Sequence, residues 1–191
     1  MRAGGVGIGG IVRQLGAICA LVVVAAGSSG AQVEAVALPK VSHGETRYAL
    51  LPDSSDNIRQ AIDRTVAPMN FIIRPIARSR LNKVNPLPHQ VRVERGADTV
   101  SVAFDDGNPV ITPLDGHTVT WSNSLTHETD QVRATVAGDT LRQTIAAPDG
   151  ERENALVFSD GGTRLHLQVT VRSHRLPRPL VYMLVFRQQE G

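Results

Sequence analysis

The chain has 191 residues, a formal net charge of +2 and one cysteine, with 41% of its residues hydrophobic and 4% aromatic. This length suits one sizeable hydrophobic core rather than two, and a lone cysteine excludes an internal disulfide framework. Arg2 and Arg13 account for the whole excess of basic over acidic residues, so charge offers no argument for a nucleic-acid partner.

Residues 1–31 read as a secretory signal peptide. They hold Arg2 and Arg13 but no acid, then the apolar run Leu15 to Ala26, then Ser29-Gly30-Ala31 as a small-residue cleavage site. The run falls short of the about 20 residues that a membrane-spanning helix needs, and Ile18 stands where a lipoprotein would have a small residue before Cys19. Cleavage near Ala31 is expected, giving a periplasmic or secreted protein with no transmembrane span. Gly5 to Gly10 fits the pattern G-x-G-x-x-G, but no strand precedes it, which excludes a dinucleotide site. Residues 32–45 show no periodicity and form a loose lead-in to one domain over 46–191.

That domain begins with a strand over 46–51, stopped by Pro52-Asp53-Ser54-Ser55. Ile58, Ala61, Ile62, Thr65, Val66 and Met69 follow at spacings of three and four, the apolar face of an amphipathic helix. Pro68 ends it or begins a second short helix running to about Leu81, kinked or interrupted near Pro75. The helical insert therefore covers 54–83.

From Gln90 the period changes to 2. Nine further strands are predicted, over 90–95, 98–104, 108–112, 117–121, 130–137, 140–147, 150–158, 164–173 and 180–187. A two-residue turn at Gly96-Ala97 sets Val93 opposite Val100; one at Gly138-Asp139 sets Ala134 opposite Gln143. A turn at Pro148-Asp149 sets Leu141 opposite Leu156, and Gly161-Gly162 sets Phe158 opposite Leu165. The last three place one apolar set on one continuous face, which a one-residue slip would invert. Consecutive hairpins without a crossover helix make an antiparallel up-and-down meander, and a ten-stranded twisted meander tends to close on itself. The fold class is mainly β: a roughly ten-stranded barrel with a helix-turn-helix lid after its first strand.

One strand, a helix pair and nine meandering strands over residues 46–187 resemble the fatty-acid-binding-protein arrangement within the lipocalin-like barrels, by element order. The resemblance implies a lid over one barrel mouth and a lipid-like small molecule inside. It implies neither catalysis nor a cofactor.

The residues agree in offering no catalytic or metal site. The six histidines form no short-spaced pair, the only cysteine leaves with the signal segment, and there is no G-x-S-x-G elbow. Asp105, Asp106 and Asp115 occupy hairpin tips, where aspartate supports turn geometry. Candidate ligand-binding residues come instead from the registers. Gln143, Arg152 and Asn154 fall on the same inner face as Leu141, Ile145, Leu156 and Phe158, while Arg142, Glu151 and Glu153 fall outside. Either the two amides bond each other while Arg152 reaches water at the rim, or these groups receive the polar head of a bound amphiphile. Arg74 and Arg78, with Arg80 and Lys83, ring the mouth to attract an anionic head group or touch an acidic membrane surface, or simply form a solvated face. The function expected is an exported barrel holding an apolar or amphiphilic molecule. A ligand-free packed envelope or protein-contact domain, and a barrel enzyme, are the alternatives.

Overall fold

The computed structural model describes residues 44–123 and 125–190; the expected signal peptide and all but the end of the lead-in lie outside the described residues. Ten strands alternate with hairpin turns: β1 (Glu45–Leu50), β2 (Gln90–Arg95), β3 (Thr99–Phe104), β4 (Val110–Pro113), β5 (Val119–Ser122), β6 (Thr129–Ala137), β7 (Thr140–Ala147), β8 (Gly150–Ser159), β9 (Arg164–Arg172) and β10 (Leu180–Gln188). Two helices, α1 (Ile58–Val66) and α2 (Ile73–Val84), connect β1 to β2.

The strands form one sheet in the order β4-β3-β2-β1-β10-β9-β8-β7-β6-β5. Every ladder is antiparallel, and β1 joins the start of the chain to its end by pairing with both β2 and β10. Only β4 and β5, the two ends of this order, share no ladder, yet β4 lies against both β5 and β6. The result is a nearly closed up-and-down barrel, lipocalin-like in architecture, as the order of elements implied.

Three of the four registers hold as read from the sequence. Ala134 faces Gln143, Leu141 faces Leu156, and Phe158 faces Leu165. Gly138 takes φ +56, the positive value that a two-residue hairpin of the II′ kind requires at its first turn position. At Gly150 the carbonyl of Arg172 lies where a Cβ would stand, so only glycine lets β8 start this close to β9. The first hairpin is the exception. Val93 pairs with Val102, not with Val100, because the loop runs through Asp98 and closes with the Gly96 N–H donating to the Thr99 carbonyl at 2.9 Å. A slip of two residues keeps Val91, Val93, Val100 and Val102 facing inward, so alternation alone does not distinguish the two pairings.

The lid is built as the apolar stripe suggests, with one correction. Asn57 caps α1 by accepting from the Gln60 N–H at 3.1 Å, and Ile58, Ala61, Ile62 and Val66 are buried in the same core as the barrel's inner face. The second helix starts at Ile73 rather than Pro68, and Pro75 does not interrupt it. Asn70 sets this start: its side chain accepts from the Ile72 N–H at 2.9 Å and its carbonyl from Ile73 and Arg74. Pro75 then falls in the first helical turn, where a missing N–H costs nothing. The lid is tied down where the chain leaves β1. Leu51 donates to the Val185 carbonyl at 2.8 Å, and the Asp56 carboxylate accepts from the Met183 N–H at 2.8 Å.

Inside, Tyr182, Leu184 and Phe186 of β10 point to the core, while Val181 and Met183 face out. Val185 is buried on the outer face, where Leu51 and Ser55 bond to its backbone. Tyr48 of β1 is buried against Phe158, ring centres 6.0 Å apart, and donates its hydroxyl to the Gly162 carbonyl at 2.9 Å. Burial pushes its hydroxyl up to about 12 from an ordinary 10.0. The neutral form is thus favoured in the folded state, so stability conferred by Tyr48 is intact below about pH 10 and declines as pH rises toward about 12. Denaturant titrations across that window are expected to show a loss on the order of 2 kcal/mol that the Tyr48→Phe variant lacks. An equal alkaline slope in both proteins would contradict it.

Candidate functional site

The β7–β8 hairpin sets the inner polar residues in place. Gln143 stands opposite Asn154, and Ile145 opposite Arg152. On the outer face Arg142 pairs with Glu153, and Arg172 lies 3.4 Å from Glu151, so the charged partners of these strands satisfy one another outside the barrel. Alternation leaves the two amides and Arg152 no choice but to face in.

Arg152 is the hub of what they form. Its Nε donates to Asn154 Oδ1 at 2.8 Å, one terminal nitrogen to Asn85 Oδ1 at 3.0 Å, and the other to the Tyr182 hydroxyl at 3.4 Å. The Tyr182 hydroxyl in turn donates to Asn85 Oδ1 at 3.2 Å. Asn85 is the C-terminal cap of α2, anchored by its own amide donating to the Leu81 carbonyl at 2.9 Å. One asparagine oxygen therefore latches the far end of the lid to the barrel interior. All the partners of this half-buried guanidinium are neutral, and no carboxylate of the described residues lies within ion-pair distance of it. The two amides do not bond each other. Gln143 is fully buried with neither amide atom partnered, and Asn154 Nδ2 is likewise without a partner. Each such group costs roughly 1–3 kcal/mol, so this wall carries unmet donors and acceptors beside an unneutralised cation.

A second inward-facing group lies on β5 and β6. Asp130 is 2% exposed; Asn123 Nδ2 donates to its Oδ2 at 2.9 Å, and its Oδ1 has no partner. Trp121, its cross-strand partner, has a buried Nε1 that is also unpartnered. The rest of the interior is lined mainly by aliphatic and aromatic side chains, most of them from β9, β10 and β1 to β3, with Leu141, Leu156 and Phe158 contributed by β7 and β8 themselves. An apolar cavity of about 10 Å³ lies among Val93, Val100, Val136, Leu141 and Phe158, space for about one water molecule.

Arg74 and Arg78 make their bonds within the lid, although Arg74 Nε is buried without a partner. Arg74 donates to the Met69 carbonyl at 2.8 Å, and Arg78 pairs with Asp63 of α1 at 2.6 Å; neither bonds to the Arg152 group. Beside them the turn into α2 exposes Phe71 at 77%, Ile72 at 63%, and Ile73 and Ile76 at 55% each. No described helix is long and apolar enough to cross a membrane, and among the described residues no three acids, histidines or cysteines come together to hold a metal. Asp115 supports its own turn, where the His117 N–H holds its carboxyl below its usual range, whereas the Asp105 carboxylate reaches out of its turn to accept from the His89 and Gln90 N–H groups at the start of β2.

Sequence reading brought Gln143, Arg152 and Asn154 together but missed Asn85, Tyr182, Asp130 and Trp121. Tyr182 was not within reach, since 180–186 is a continuous apolar run in which no alternation picks out the inward face. Asn85 precedes Pro86 at the end of a helical pattern, a C-cap signal, but its contact with Arg152 spans 67 residues.

Ten antiparallel strands in meander order with a helix pair after the first define a fatty-acid-binding-protein-like barrel of the lipocalin type. No family model matches the chain, and no curated protein matches it. Among solved structures it is similar to a fatty-acid-binding protein from brain tissue of Drosophila melanogaster, at 16% identity over 75% of this chain and 96% of that one, TM-score 0.48. It is also similar to the fatty-acid-binding protein isolated from Manduca sexta, at 13% identity over 76% and 99%, TM-score 0.49, and to human cRBP IV, at 17% identity over 74% and 94%, TM-score 0.47.

Proposed function

We propose that this protein is an exported binding barrel that holds one anionic amphiphile, its head group received by Arg152 together with Asn154, Gln143 and Tyr182, and its tail laid against the apolar lining. The observation that carries the reading is the inward guanidinium with only neutral partners, next to a fully buried amide with none. A carboxylate or phosphate supplies both what the cation lacks in charge and what the amides lack in acceptors. Asn85 Oδ1 then acts as a stand-in for a head-group oxygen, and a head group that takes its place on Arg152 also releases the end of the lid. No group in this wall is arranged as nucleophile and base, which favours carriage or sequestration over catalysis.

Native mass spectrometry of protein purified from its own host tests binding and export together. The expected spectrum is that of a chain beginning near Gln32 with one retained amphiphile released on activation. A chain that still begins at Met1 would refute export, and a bare chain at every activation energy would refute the carrier.

Transient contact with an acidic membrane surface is a companion reading. It is favoured by the exposed Phe71 and Ile72 just before α2 and Ile73 and Ile76 on it, next to charged side chains of α2, Arg74, Arg78, Arg80 and Lys83, that are all basic. Apolar insertion and attraction to anionic lipid then act together. The protein is expected to sediment with phosphatidylglycerol vesicles at low salt and to be released by raised salt or by Phe71→Ser with Ile72→Ser. Equal sedimentation of that double variant would remove the lid from the contact.

A further inference from the structure

Asp130 and Trp121 are not explained by the head-group site. Both sit on inner-face positions, directly paired across β5 and β6, and each leaves one buried polar atom unmet: an acceptor on the carboxylate, a donor on the indole. The Asn123 amide already occupies the other carboxylate oxygen, and no cation of the described residues lies within ion-pair distance of Asp130 to neutralise it. The register also fixes where this pair stands. Gln131 pairs with Ala146 and Arg152 with Ile145, so Asp130 and Arg152 are two strands and two residues apart, with α-carbons separated by on the order of 10 Å.

We infer that Asp130 and Trp121 form a second polar subsite that takes a hydroxyl group on the body of the bound amphiphile. The inference rests on the amphiphile reading above and narrows its ligand class to hydroxylated anions. A hydroxyl is the simplest group that serves both atoms, donating to Asp130 Oδ1 while accepting from Trp121 Nε1–H. An ammonium only donates, and a ketone only accepts. The separation from Arg152 excludes a hydroxyl on the carbon next to the head group, because both groups would then fall at Arg152. The ligand is an anion with a hydroxyl several carbons along its body. Recognition of this kind discriminates sharply, since an analogue without the hydroxyl leaves a buried donor and a buried acceptor unpaired.

The test compares three probes on the same protein: stearate, its alpha-hydroxy derivative, and a stearate carrying a mid-chain hydroxyl. Trp121 is the only tryptophan of the chain, so its emission reports on the subsite while calorimetry gives the affinities. The mid-chain hydroxy acid is expected to bind roughly tenfold more tightly than stearate and to shift the emission, with the alpha-hydroxy acid no tighter than stearate. Asp130→Ala is expected to abolish the preference of the mid-chain hydroxy acid over stearate, and Trp121→Phe to reduce it. Equal affinities of the three probes for the parent protein overturn the subsite even if neither variant folds, as does a preference that survives both substitutions. If none of the three binds, the amphiphile reading itself fails, and the subsite with it.

Discussion

Replacing Ile62 with aspartate is expected to destabilise the protein by about 4 kcal/mol, the largest effect of any single change in the lid. Ile62 is fully buried in the core shared by α1 and the barrel. Its loss forfeits roughly 1.5–3 kcal/mol of apolar burial, and the introduced carboxylate must either be buried without a partner or be exposed by pulling α1 off the barrel. In a domain of this size about 4 kcal/mol corresponds to a fall in Tm of roughly 10 °C. Gln60→Asp serves as the control, because Gln60 lies two residues from Ile62, on the other side of α1, and is exposed. A Tm for Ile62→Asp equal to that of the control would mean that the helices do not pack on the barrel.

The second large effect is on binding. Arg152→Met is expected to weaken retention of an anionic amphiphile such as stearate by roughly a hundredfold, equivalent to two charge-assisted hydrogen bonds at about 1.5 kcal/mol each. Affinity for the corresponding uncharged alcohol should change little. Stability should change less than the three lost hydrogen bonds suggest. Asn85 keeps its bond from Tyr182, and removing a half-buried cation with no counter-charge relieves a desolvation cost that offsets the loss. Unchanged affinity for the acid in a variant that remains folded would remove Arg152 from the site. An equal loss for acid and alcohol would assign it to packing rather than to charge recognition.

These two variants probe parts of the molecule that were legible to different degrees. The barrel was legible because hairpin turns convert sequence spacing into pairing: once Gly138-Asp139 and Pro148-Asp149 are turns, Gln143 must oppose Asn154 and both must share the face of Leu156. The same logic failed at Gly96, where a longer loop moves the pairing by two residues without changing which side chains face in. Helix boundaries were less legible. The start of α2 is set by Asn70 bonding to the backbone that follows it, a choice that competes locally with helix propensity.

What the sequence determines by itself is everything that follows from period and turn chemistry: ten strands, a helix pair after the first, the inward face of most of them, and three polar residues stranded on it. Such features depend on neighbours a few residues away, or on a partner strand whose position the turn dictates. What only the tertiary structure decides is the company those residues keep. Asn85 reaches Arg152 across the lid, Tyr182 reaches it across the barrel, and Arg74 and Arg78 spend their bonds within the lid. The closure of the sheet through β1 and β10 brings these groups together, and no local period encodes the curvature and stagger with which a sheet closes.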